Sequence, residues 1–177
     1  ALAYNRATRI RRQPGSVIKP IMVYAPALES GYTAATMLLD EETDFDGYKP
    51  SNSGDRYRGW VTMRQAVTSS LNVPAVSVMA ELGVDSGKRF ARSVGITFDE
   101  RDQSLALALG GFTYGVSPYQ IAAAYAAFAS GGLYTEPSLI YAICDEDGDV
   151  LYSYTPAYTR VMSEGNAYVL TSMLESA

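Results

Sequence analysis

No histidine occurs anywhere in the 177 residues. That absence excludes a complete Ser-His-Asp triad and a histidine-ligated zinc site within the chain. The single cysteine, Cys144, cannot form an internal disulfide and says nothing of redox compartment. There is no block of basic residues and the net charge is −5, so nucleic acid is not an expected partner. No run of 18 apolar residues and no signal peptide is visible. Lysine is scarce, with Lys19, Lys49 and Lys88 the only three. Hydrophobic residues make up 47% and charged residues 19%, an ordinary balance for one domain with a substantial core.

What is present centres on Gln13-Pro14-Gly15-Ser16-Val17-Ile18-Lys19-Pro20. Pro14 fixes the approach of the chain, and Gly15 permits a tight turn. The apolar run that follows predicts a helix from 16 to about 28, tolerating Pro20 in its opening turns and ending near Pro26. Residues i and i+3 share a helix face, so Ser16 and Lys19 point the same way. Ser16 would sit at the positive end of the helix dipole, where a developing anion is favoured. Without histidine, a serine nucleophile needs another base, and a lysine serves once burial lowers its pKa. With 17 serines in the chain a Ser-x-x-Lys match by chance is not rare, and a helix start with an exposed lysine is the plain alternative.

A second stretch, Ser69-Ser70-Leu71-Asn72-Val73-Pro74, places a hydroxyl and a carboxamide two residues apart. Pro74 disfavours helix at Val73, which predicts a short connection between helices with side chains free to enter a cleft. The Ser70 hydroxyl could relay a proton, and the Asn72 amide could donate to and accept from a peptide backbone. An Asn-capped helix end is the alternative.

Elsewhere the signals are structural. Residues 1–12 read as extended or irregular, and their arginines (Arg6, Arg9, Arg11, Arg12) as a solvated cluster rather than a carboxylate trap. Residues 29–60 read as a long turn-rich excursion pinned by Tyr32, Phe45, Tyr48, Tyr57 and Trp60. Thr62 and Gln65 form a capping box for a helix reaching Ser69 or Ser70. A helix after Pro74 stops at Gly83, Asp85 caps another that ends at Gly95, and residues 96–116 are irregular. Ser117-Pro118 opens an alanine-rich helix, small on all sides and therefore expected to be buried. Asp147-Gly148 lies between two apolar runs and predicts a hairpin. Its acidic turn lacks a calcium-loop pattern, and no metal or other cofactor is expected. A final helix begins near Ser163.

Taken in order, Asn5-Arg6-Ala7-Thr8, Arg12-Gln13-Pro14-Gly15-Ser16-Val17-Ile18-Lys19-Pro20, Val61-Thr62-Met63-Arg64-Gln65-Ala66, Ser70-Leu71-Asn72-Val73-Pro74-Ala75-Val76 and Leu107-Ala108-Leu109-Gly110-Gly111 resemble the transpeptidase domain of penicillin-binding proteins, most of all the bifunctional class A kind. Ala122-Ala123-Ala124-Tyr125-Ala126 and Phe128-Ala129-Ser130-Gly131-Gly132 continue the resemblance over nearly the whole chain. Two of the three motifs of that superfamily are present, whereas Lys-Thr-Gly is absent. The resemblance therefore implies the middle of a single transpeptidase domain, residues 1–177, without most of its central sheet. The expected fold is mainly α with a β-hairpin, the helical portion of a partial β-lactamase/transpeptidase-like α+β fold.

By resemblance, Ser16 is the acyl-accepting nucleophile, Lys19 its base, Ser70 a proton relay and Asn72 a substrate-binding residue. The implied reaction is D,D-transpeptidation of peptidoglycan stem peptides, with β-lactams acylating the same serine. The implied location is the outer face of a bacterial membrane, with an anchor and a glycosyltransferase domain outside this segment. Lacking the Lys-Thr-Gly strand, the segment alone is expected to be inactive or nearly so. A β-lactam sensor, a Ser-x-x-Lys β-lactamase and a non-catalytic helical interaction domain are the alternatives.

Overall fold

The computed structural model describes residues 5–177. The fold is built around one helical segment, residues 15–29, whose residues 18–28 are all buried. Sequence reading gives a single α-helix here, and the structure divides it into three windings. Gly15–Ile18 is a 3₁₀ turn, Pro20–Tyr24 a π turn, and only Ala25–Glu29 (α1) is α-helical. Pro20 has no N–H to offer the Ser16 carbonyl, which accepts instead from Lys19 N in the tighter 3₁₀ pattern. The helix also runs past Pro26 to Glu29.

Around this segment pack α3 (Asn72–Leu82), α4 (Val84–Ser93), the 3₁₀ turn Leu105–Leu109 and α6 (Glu164–Leu174). The capping box expected at Thr62 is present, and Ser117, expected as a cap, forms a second box that the sequence reading does not include. Thr62 caps α2 (Met63–Thr68) and Ser117 caps α5 (Pro118–Ala129), each exchanging hydrogen bonds with a glutamine three residues on. Gly83, with φ 80°, closes α3. Asp85 is not a cap: it stands in the first turn of α4, and Gly83 holds the cap position. Nor does Pro74 delay α3, which begins at Asn72 and includes Val73. Pro74 is the third helical residue, where a missing N–H costs nothing.

The alanine-rich α5 is buried on one face only. Ala123, Ala124, Ala127 and Phe128 are inside, whereas Ala122, Ala126 and Ala129 face solvent. The excursion at 29–60 contains a ladder that the sequence does not announce. Strand β1 (Met37–Asp40) pairs antiparallel with β2 (Gly59–Thr62), Leu38 opposite Val61. Strand alternation puts Leu38 and Asp40 on the inner face together. Tyr32, Phe45 and Tyr48 pin the excursion to the core, but Tyr57 and Trp60 are exposed.

The hairpin appears as expected, β4 (Ala142–Cys144) against β5 (Val150–Ser153), with Asp145 accepting from the N–H groups of Asp147 and Asp149. Strand β3 (Leu133–Tyr134) pairs with β6 (Thr159–Arg160), and β6 leads the chain to Ser163, which caps α6. The described residues form the expected α-rich part of an α+β fold, with small two-stranded sheets and, among these residues, no central one.

Candidate active site

The turn before Ser16 is held from the far side by residues 110–116. Arg12 and Val116 exchange backbone hydrogen bonds of 3.0 and 2.9 Å. The Gln13 side-chain amide donates to Phe112 O and accepts from Phe112 N at 2.7 Å. Gly15 takes φ +59°, and Gly110 packs so closely on it that a Cβ at 110 would overlap the Gly15 backbone. Ser16 thus leaves a braced turn and stays exposed. In a 3₁₀ turn residues i and i+3 eclipse, which sets Lys19 directly behind Ser16. The dipole expected at Ser16 is reduced to that of a four-residue turn.

Lys19 is 2% exposed and meets the loop that ends α2. Its Nζ donates to Ser70 O at 2.6 Å, Ser70 Oγ at 3.2 Å, Leu71 O at 3.1 Å and Asn72 Oδ1 at 2.7 Å. Ser70 has φ +50°, a strained value for a non-glycine residue. That conformation turns its carbonyl and its hydroxyl toward the same amine. Burial lowers the Lys19 pKa from 10.5 to about 8, against the pull of the four acceptors, which favour the ammonium. An appreciable neutral fraction therefore exists near neutral pH, and a neutral amine can take a proton.

Ser16, Lys19 and Ser70 line one cavity of about 230 Å³, together with Tyr24, Tyr125 and Leu174. Three of the four residues singled out in the sequence, Lys19, Ser70 and Asn72, are in direct contact. Ser16 faces Lys19 and Ser70 across the cavity, and its hydroxyl makes no hydrogen bond among the described residues. The alternative of an exposed lysine at a helix start is excluded by the burial of Lys19. Among the described residues no group of histidine, cysteine or carboxylate side chains is arranged to hold a metal.

Several neighbours escape sequence reading. Tyr125 OH donates to Val17 O at 2.9 Å and steadies the residue after Ser16; burial pushes its pKa up to about 12. Tyr24 is buried with its hydroxyl unpartnered, and that burial raises its pKa. Asn52 and Ser51 reach Asn72 from twenty residues away. Only the spacing of polar residues in a turn-rich stretch hints at them.

The Penicillin binding protein transpeptidase domain family matches residues 2–177. Penicillin-binding protein 1F of Bacillus subtilis is 44% identical over 97% of this chain and 24% of its own length. Penicillin-binding protein 2a of Streptococcus pneumoniae is 38% identical over 97% and 23%. The chain spans about a quarter of the length of these curated relatives. Among solved structures, penicillin-binding protein 1A of Haemophilus influenzae superposes with a TM-score of 0.86 at 31% identity, covering 97% of this chain and 30% of that one. Penicillin-binding protein A of M. tuberculosis, solved as an imipenem acyl-enzyme complex, gives a TM-score of 0.87 at 24% identity over 98% and 45%, a likeness of fold.

Proposed function

The chain belongs to the penicillin-binding protein transpeptidase domain family, and from that premise we propose that it carries the acylation centre of a peptidoglycan D,D-transpeptidase, with Ser16 as nucleophile. Neutral Lys19 takes the Ser16 Oγ proton as Oγ attacks the carbonyl carbon of a D-alanyl-D-alanine stem peptide. A Ser16 O–C bond forms and the C–N bond to the terminal D-alanine breaks. The proton passes from Lys19 through Ser70 Oγ to the leaving amine. The amine of a second stem peptide then attacks the ester, forms the cross-link, and returns a proton to Ser16 Oγ. Asn72 holds the substrate backbone. β-Lactams enter the first step and remain as the ester. The observation that carries this reading is that buried Lys19, which contacts both Ser70 Oγ and Asn72 Oδ1, lines one cavity with Ser16 and Ser70.

No Lys-Thr-Gly stretch occurs in the sequence, and on this reading the segment alone is expected to be inactive or nearly so. Loss of one oxyanion donor elsewhere costs about 3–4 kcal/mol in rate. The full protein works on the outer face of a bacterial membrane. Among the described residues no helix is long and apolar enough to cross one.

Intact mass after exposure of the full protein to penicillin G tests the reading. One penicilloyl adduct is expected, absent in Ser16→Ala. An adduct that survives Ser16→Ala would overturn it. A long-lived adduct separates transpeptidase or sensor from a β-lactamase, and cross-linking of stem peptides separates transpeptidase from sensor.

A further inference from the structure

Helix α3 has no capping side chain of its own: its N-cap is Leu71. The cap comes from Asn52, whose Oδ1 accepts from Asn72 N at 2.7 Å and Val73 N at 3.4 Å. Asn52 Nδ2 donates to Asp40 Oδ1 at 2.7 Å and to Arg56 O at 3.0 Å. Every hydrogen-bonding place on this amide is filled, and the side chain is buried. Asp40, at the inner end of β1, is fully buried, and its other oxygen accepts from Arg58 N at 3.0 Å. Because a carboxylate only accepts, Asp40 dictates that the nitrogen of Asn52 faces it and the oxygen faces α3.

The same logic passes on to Asn72. Ser51 O accepts from Asn72 Nδ2 at 2.7 Å, which leaves Asn72 Oδ1 to face Lys19. We infer that Asn52 is a positioning residue for acyl transfer: through the N-terminus of α3 it fixes the Asn72 side chain against Lys19, with Asp40 fixing Asn52 in turn. The inference rests on the reading of Ser16 as nucleophile and Lys19 as its base.

Loss of the Asn52 amide frees Asn72 and admits water to Lys19. Hydration returns the lysine toward its ordinary pKa, so the acid limb of the rate profile moves to higher pH. Lys19 shares its cavity with two other titratable side chains, Tyr24 and Tyr125, both raised well away from that limb. Of the charged groups on the surrounding elements, Arg64 of α2 turns to Ser172 and Ser176, Arg58 turns to Ser69, Asp40 is taken by Asn52 and Arg58, and Glu175 is exposed.

The test is the first-order acylation constant of the full protein at saturating penicillin G against pH, for the unaltered protein, Asn52→Ala, Asn52→Asp and Ser16→Ala, with a thermal melt of each. Asn52→Ala is expected to acylate about tenfold to a hundredfold more slowly, with its acid limb displaced upward. Asn52→Asp keeps an oxygen on α3 but sets a second carboxyl against Asp40. Its rate relative to the unaltered protein is expected to fall as pH rises and that carboxyl ionises. If Asn52→Ala does not fold, this ratio alone decides. A rate within twofold, a loss by one constant factor at every pH, or a flat Asn52→Asp ratio overturns the inference. Acylation of Ser16→Ala overturns instead the reading beneath it.

Discussion

Gln13 pairs with Phe112 as one strand residue pairs with another, except that the Gln13 partner is a side chain. Its amide donates to Phe112 O and accepts from Phe112 N. This pairing ties the turn carrying Ser16 to a segment nearly one hundred residues away. Gln13→Glu places an oxygen where the donor stood, facing a carbonyl. It is therefore expected to destabilise more than Gln13→Ala, by about 1–3 kcal/mol relative to the parent. Below the glutamate pKa the protonated carboxyl donates again, and the excess disappears. Urea unfolding of both variants at two pH values checks this.

Gly110→Ala drives a methyl group into the Gly15 backbone at a position with φ +89°. Both effects push on the turn that presents Ser16. The expected result is a loss of acylation rate larger than at Gly148→Ala, where φ is also positive but the space is open. Stopped-flow acylation of the two variants separates crowding at the site from backbone strain alone.

Lys19→Met keeps the length and burial of the side chain but removes the proposed base. Acylation should fall by about 10²–10⁴-fold. Three acceptors, the buried Leu71 O and the half-buried Ser70 O and Asn72 Oδ1, lose their donor together. Each can cost about 1–3 kcal/mol, so a lowered melting temperature accompanies the kinetic loss.

The pH dependence follows from burial of the same lysine. Only the neutral amine accepts a proton, so the acylation rate should climb with pH through about 8. Stability moves in the same sense. With a folded pKa of about 8 and an ordinary value of 10.5, the unfolded chain binds more protons between those limits. Unfolding free energy contributed by Lys19 therefore rises as pH rises through that window and is flat below it. Lys19→Met should remove both the kinetic limb and that slope.

Ser70→Gly relieves a φ of +50° and is expected to stabilise the α2–α3 connection by about 1 kcal/mol. The same change deletes the hydroxyl beside Lys19, and acylation should drop. A variant with a higher melting temperature and a lower rate would be the signature.

The parts legible in sequence were those whose partners lie close in the chain. Thr62 with Gln65, Ser117 with Pro118, and the Asp147-Gly148 turn carry their own instructions within a few residues. The meeting of Lys19 with Ser70 and Asn72 is foreshadowed because a chain without histidine leaves lysine as the base a serine would need, and because the flanking stretches resemble one family. The start of α3 was not legible. Its cap is Asn52, twenty residues away, and local preference at Val73 gives way to it. Strands β1 and β2 are four residues each and separated by the excursion, so neither carries a periodic signal of its own. The half exposure of α5 was hidden by alanine, which suits either environment.

The π turn at Pro20–Tyr24 holds one more residue than an α-helical turn would, with Ala25 N reaching back to Pro20 O. That surplus residue is a built-in allowance for length. A single deletion inside 20–24 can be absorbed by rewinding to α geometry, while Lys19 on one side and Leu28 on the other keep their surroundings. A deletion inside Gly15–Ile18, where the winding is already tight, has no such slack and must pull Ser16 off its brace.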